Sequence, residues 1–250
     1  AAQTPLLILD VIGNFGGGTL TSLPPTSTIT MTPSPSVAPS ATYTDTSTPT
    51  AFQSPTSTLT RTFTPTVTSS NTPTSTSAIM NTGFLSPSQN AAQTGGDGNG
   101  YEVSAANAYA DDGLFAVDNN SGTGTSTSCT NSGKDKHRFS NYNIVLPNGA
   151  AVTGIQVQLH AKADSTSGSP KLCIQLSWDG GTTWTSAKST ATLTTAEAAY
   201  LLGGPTDTWG HAWTTGQLGN TTFIVRVIDV SSSTSRDFLL DWVSVQVTYQ

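Results

Sequence analysis

Charge is scarce in this chain. Only 10% of its 250 residues are Asp, Glu, Lys or Arg. The nine Lys and Arg are scattered, which excludes a nucleic-acid surface built on a basic stripe. Histidine occurs three times, as His137, His160 and His211, and cysteine twice. No H-E-x-x-H, Cys-x-x-Cys or G-x-S-x-G pattern is present, so the common signatures of zinc sites and serine hydrolases are missing. Serine is too frequent for its presence to point to a Ser/His/Asp triad. Long apolar runs are also lacking. The longest, Pro5 to Ile12, ends at Gly13 and falls well short of the roughly 20 residues of a membrane-spanning helix. Helical patterning is confined to Thr194–Leu202, with Thr194 or Thr195 as cap and Gly203 as stop.

What the chain has instead is Ser and Thr in phase. Every threonine from Thr26 to Thr76 lies on an even position: Thr26, Thr28, Thr30, Thr32, Thr42, Thr44, Thr46, Thr48, Thr50, Thr56, Thr58, Thr60, Thr62, Thr64, Thr66, Thr68, Thr72, Thr74 and Thr76. A period of two makes one face only on an extended backbone. The odd positions carry Ile29, Met31, Val37, Tyr43, Leu59, Phe63 and Val67 among recurrent prolines. Such a tract buries too little apolar area to offset about 1–2 kcal/mol of backbone entropy per ordered residue, so its stiffness needs another source. Ser/Thr-rich sequence with proline is the composition of O-glycosylated stalks. The expectation is a glycan-bearing rod over residues 19–82, with Asn119 and Asn220 as secondary, N-linked sequons.

Residues 1–18 combine an apolar strand with a glycine hinge at Gly13 and Gly16–Gly18. Leu7, Leu9 and Val11 fall in one phase, and Leu6, Ile8 and Ile12 in the other, the pattern of a strand buried on both faces. Fifty extended residues span on the order of 160 Å, so this strand is better placed to enter another subunit than its own. Insertion of an N-terminal strand into the next subunit's sandwich is an established polymerising mode, and a head-to-tail contact generates a filament. The start at Ala1-Ala2-Gln3 is read as that of a mature exported chain, at the cell surface or beyond it.

Residues 83–100 read as a Gly-rich connector and residues 101–250 as an all-β domain. Ile155, Val157, Leu159 and Ala161 alternate with polar residues, as do Leu172, Ile174, Leu176 and Trp178. Phe223, Val225 and Val227 make a further strand, and Val243 to Tyr249 end the chain on one. Short alternating strands with Gly, Asn, Asp and Ser turns indicate a β-sandwich, Ig-like or jelly-roll. Cys129 and Cys173 are expected to pair, pinning the loop around Cys129 across one sheet surface.

Asn107-Ala108-Tyr109-Ala110, Gln175 to Trp184, Leu202 to Gly210 and Asp241-Trp242-Val243 resemble stretches of the β-sandwich domains of exported bacterial surface proteins with Thr/Pro-rich stalks. In layout the chain is similar to a subunit of a glycan-coated extracellular fibre. The resemblance implies a fold and a location and no catalytic activity. Ser177-Trp178-Asp179-Gly180-Gly181-Thr182-Thr183-Trp184 also matches the "Asp box" of sialidase-type propellers. It occurs once, whereas a propeller repeats it in each blade, so it is read as a structural hairpin. The expected function is a non-enzymatic filament subunit without cofactor, partnered by copies of itself and by attached glycans. The alternative is a stalked carbohydrate-binding module in which Trp209, Trp213 and Trp178 contact glycan. Asp111-Asp112-Gly113 and Asp118-Asn119-Asn120 are candidate calcium loops without EF-hand spacing.

Overall fold

The computed structural model describes residues 78–93 and 96–250. The donor strand at 5–12 and the even-numbered threonines from Thr26 to Thr76 lie outside these residues. Among the described residues ten strands build two sheets: β1 (Met80–Asn81), β2 (Gln89–Gln93), β3 (Ala116–Asp118), β4 (Lys136–Ser140), β5 (Val152–Ala163), β6 (Lys171–Ser177), β7 (Lys188–Ser189), β8 (Ala198–Gly203), β9 (Ile224–Val230) and β10 (Phe238–Tyr249). The first sheet runs β1-β10-β5-β8 with β3 also on β10, and the second runs β2-β4-β9-β6-β7. All pairings are antiparallel.

The order of pairing resolves the topology left open by the sequence. β3 pairs β10, β4 pairs β9, β5 pairs β8 and β6 pairs β7, a nested series that alternates between the two sheets. This is one long antiparallel ribbon rolled up, a jelly roll. The alternation seen in the sequence does the packing. Ile155, Val157, Leu159 and Ala161 of β5 and Val243, Val245 and Val247 of β10 point inward from the first sheet. Phe139, Leu172, Ile174, Leu176, Val225 and Val227 meet them from the second, all essentially without solvent exposure.

Cys129 and Cys173 form a disulfide. Cys173 faces away from the main core and makes a small second cluster with Ile228 and Val230, against which Cys129 packs. The bridged loop covers that end of the second sheet, which is why β6 and β9 are apolar on both faces there. Two expectations change. The helical pattern of Thr194–Leu202 yields to strand β8, because pairing to β5 turns Tyr200 and Leu202 onto the core while Ala199 and Leu201 face out. The sandwich also reaches further toward the N-terminus than residue 101. β1 pairs Tyr249 and Thr248, Leu85 bridges Val245, and β2, inside the expected connector, forms an edge of the second sheet. No helix among the described residues is long and apolar enough to cross a membrane.

Candidate ligand-binding face

The outer face of the second sheet collects polar groups that the sequence keeps apart. In β4, His137 and Phe139 point inward, so Lys136, Arg138 and Ser140 point out. Antiparallel register sets Arg138 directly opposite Arg226 of β9, and Arg226 opposite Gln175 of β6. Like charges placed opposite one another on neighbouring strands are unfavourable. None of the ion pairs among the described residues involves Lys136, Arg138 or Arg226. Neutral amides serve the two arginines instead. Arg138 Nε donates to Gln93 Oε1 at 2.9 Å and Arg226 Nη1 to the same oxygen at 3.3 Å, while Arg226 Nη2 donates to Gln175 Oε1. Gln175 is itself oriented by donating Nε2 to Thr185 O at 2.8 Å. Arg226 Nε is buried with no acceptor among the described residues. Burial and then the neighbouring Arg138 charge bring Arg226 down to about 10, and Lys136 is lowered by burial and then by Arg226.

The Asp-box hairpin supplies the aromatic part. Asp179 Oδ1 accepts from the amides of Thr182 at 3.1 Å and Thr183 at 2.8 Å and from Ser177 Oγ at 2.9 Å. The Thr183 backbone bond is the main reason its carboxyl lies below the usual range. Gly180 and Gly181 take φ +74° and +89°, the left-handed values such a turn requires. Trp184 Nε1 donates back to Gly181 O at 3.1 Å. The half-buried indole is thereby held over the guanidinium of Arg226, 3.8 Å from Cζ to ring centroid, with Arg138 at 5.5 Å. The motif is a structural hairpin as expected, and its product is the position of Trp184.

Beside this face, at the β2 edge, lies a cleft of about 470 Å³ lined by Ser88, Asn90, Tyr109, Arg138, Ser140 and Ile224 among others. A relay from the core orients its wall. Tyr101 N–H donates to His137 Nδ1 at 3.2 Å, so Nε2 carries the proton and donates to Asn90 Oδ1 at 3.0 Å. Asn90 Nδ2 then donates to the Tyr109 hydroxyl at 2.5 Å. Burial holds His137 down at about 4, which keeps this neutral tautomer at ordinary pH. The Tyr109 hydroxyl proton has no acceptor among the described residues and is free for a ligand.

The tryptophans named from the sequence lie elsewhere. Trp209 and Trp213 are 4% and 7% exposed, and their indole N–H groups donate to Ile155 O and Thr208 O, both at 2.8 Å. Their rings pack in the core and offer no open face to a sugar. Trp178, half-buried, stacks on His211 at 3.8 Å and meets Trp213 edge-on, so one of its faces is already occupied. Asn119 and Asn220 are exposed, their amides donating to Glu102 and Asn143.

On the opposite sheet, Asp111, His160, Glu197 and Asp241 bring ligand atoms within 4.8 Å of one another. That group is already bonded internally. His160 Nδ1 meets Asp111 at 2.9 Å, its Nε2 meets Gln158, and the buried Asp241 accepts from the amides of Asp112 and Gly113. It works as a clasp that fixes the Asp111-Asp112-Gly113 loop to the sheet. The residues missed by sequence reasoning are Arg138, Arg226, Gln93, Gln175, Asn90 and Tyr109. The outward phase of Arg138 beside the buried Phe139 was the one available signal.

No family model matches the chain, and no curated protein matches it. Among solved structures, a Clostridium thermocellum endo-1,4-beta-D-xylanase 10B comprising CBM22-1 and GH10 modules, complexed with xylohexaose, aligns at 12% identity with a TM-score of 0.24. The alignment covers 54% of this chain and 24% of that one.

Proposed function

We propose that this is an extracellular, non-catalytic module whose jelly-roll head binds an acidic saccharide on the outer face of the second sheet, beyond an O-glycosylated stalk. One observation carries the reading: Arg138 and Arg226 lie side by side, bonded only to amides and roofed by Trp184, in a chain of net charge -6. A carboxylate or sulfate would relieve the like-charge contact and accept charge-assisted bonds from either fork. A pyranose ring packs on an indole, and fixed amides and a free tyrosine hydroxyl meet vicinal hydroxyls. The disulfide fits an oxidising compartment.

The test is retention of the full chain by immobilised uronate-rich, sulfated and neutral polysaccharides. Acidic polymers are expected to retain it in a salt-sensitive way, and Arg138→Ala, Trp184→Ala and Asp179→Ala to lower the affinity at least tenfold while the chain stays folded. Equal affinity for neutral and acidic polymers, or no effect of these variants, overturns the reading.

A second reading, the head-to-tail filament, is supported by Pro5 to Ile12, apolar in both phases, and by the short edge strands β2 and β8 to which a further strand could be added. Each fully buried side chain of such a strand is worth about 1.5–3 kcal/mol. Deleting residues 1–12 should abolish filaments seen by electron microscopy and leave glycan retention unchanged. Filaments formed by the deletion variant would end this reading.

A further inference from the structure

Two amides serve the arginine pair, and they are not held alike. Gln175 is tied at both ends, its Oε1 to Arg226 Nη2 and its Nε2 to Thr185 O at 2.8 Å. Gln93 is tied at one. Its Oε1 accepts from Arg138 Nε at 2.9 Å and from Arg226 Nη1 at 3.3 Å, while its Nε2 donates to nothing among the described residues. Arginine has donors only, so the oxygen of this amide and not its nitrogen must face the pair. Gln93 is half-buried and is the last residue of β2, the edge strand of its sheet.

The point that Gln93 Oε1 occupies is a seat for an anion, filled by a neutral atom. Two guanidiniums from neighbouring strands converge on it, and Lys136 stands directly opposite Gln93 in the same outward row. The cations around the seat are held in place. A Cβ on Gly181 would stand 3.0 Å from Arg138 Nη1, so the Asp-box turn lies against that guanidinium, and Trp184 covers Arg226. The amide is the part free to leave. It engages Arg138 through Nε alone, whereas a carboxylate can take a guanidinium fork bidentately, in bonds roughly twice as strong as neutral ones. Shape narrows the choice of acid. The carboxamide end of Gln93 is planar and isosteric with a carboxylate, and a tetrahedral sulfate ester does not overlay it.

We propose that Gln93 is a displaceable plug in a carboxylate subsite, and that the acid group this face takes is the carboxylate of a uronic acid. This rests on the reading of the face as an acidic-saccharide site and narrows it. The uronate takes the position of Gln93 Oε1 on Arg138 and Arg226, and the amide, bonded to nothing else, turns out to solvent or to a sugar hydroxyl.

The test measures binding of the full chain to polygalacturonate, to a sulfated galactan without uronate and to a neutral galactan, with the unfolding midpoint read on each variant. Wild type is expected to prefer polygalacturonate. Gln93→Ala empties the seat and should tighten that binding about fivefold, the weight of one net neutral hydrogen bond. Gln93→Glu fills the seat with a carboxylate of the chain's own, and should raise the midpoint by about 2–4 °C while abolishing retention on polygalacturonate. A residue that only held the arginines in place would move stability and binding in the same direction, and its Ala variant would bind more weakly. Weaker binding by Gln93→Ala, retention of Gln93→Glu at the wild-type level, or a wild-type preference for the sulfated galactan overturns the inference and leaves the acidic-saccharide face standing. If neither wild type nor Gln93→Ala is held by any acidic polymer, the reading of the face falls and the inference falls with it.

Discussion

Opening the Cys129–Cys173 bridge should cost this fold a large part of its stability, and the size can be worked out. The bridge closes a loop of 44 residues. In the chain-entropy model, freeing a loop of that length returns about 13 cal/mol/K to the unfolded ensemble, or about 4 kcal/mol at 25 °C. Cys129→Ser tests this cleanly. Cys173 sits with Ile228 and Val230 and keeps its packing, while Cys129 is at the surface side, so the substitution removes the bond and little else. For a domain of this size about 4 kcal/mol corresponds to about 8–16 °C in Tm. Scanning calorimetry on the oxidised chain, the reduced chain and the variant should give one high and two matching low midpoints. A midpoint that reductant does not move, or two thiols open to alkylation in the unreduced native protein, would refute the reasoning.

Gly203 takes φ +80°, and a Cβ there would stand 2.2 Å from Ile155 O and 2.6 Å from Trp209 Nε1. Gly203→Ala should therefore lose the Trp209 hydrogen bond and destabilise several-fold more than Gly149→Ala, which has the same φ and open space, as read by urea unfolding. Phe139→Ala, in the middle of the core, is expected to cost about 3–5 kcal/mol by the same assay. In the tract from Thr26 to Thr76, site-resolved mass spectrometry should find O-glycans on the even-numbered threonines and far fewer on Ser27 and Ser57. Equal occupancy of both phases would remove the one-faced rod.

The sandwich was legible because its strands are half-buried. Ile155 to Ala161, Leu172 to Leu176 and Val243 to Val247 each alternate, and each became a strand with the expected face inward. The strands that escaped notice are edges or short pieces. β2 reads Gln-Asn-Ala-Ala-Gln, and its position follows from pairing with β4 rather than from any pattern of its own. Ala198 to Leu202 failed for a related reason. Its residues favour helix locally, and the free edge of β5 overrode that preference. Trp209 and Trp213 read equally as a glycan platform or as core and turn packing, and the structure decides for packing, since both indole N–H groups find backbone carbonyls inside.

The candidate face was illegible because it is a property of register. Arg226 meets Gln175 at a sequence separation of 51 and Gln93 at 133, and no local pattern links them. One consequence separates a binding face from an accidental one. If Arg138 and Arg226 are kept together for a ligand, the fold bears their repulsion, and relieving it should improve stability while removing function. Arg138→Glu puts a carboxylate opposite Arg226 in the same register and turns a like pair into an ion pair. Because Arg138 is only half-buried, the gain should be modest, about 0.5–1 kcal/mol after the lost Gln93 bond is counted. Acidic-saccharide retention should disappear, since the face would now carry one charge of each sign. Urea unfolding and polysaccharide retention on the same preparation read both quantities. A variant that is less stable than wild type and still retained by acidic polymers would show that the two arginines serve the fold and not a ligand.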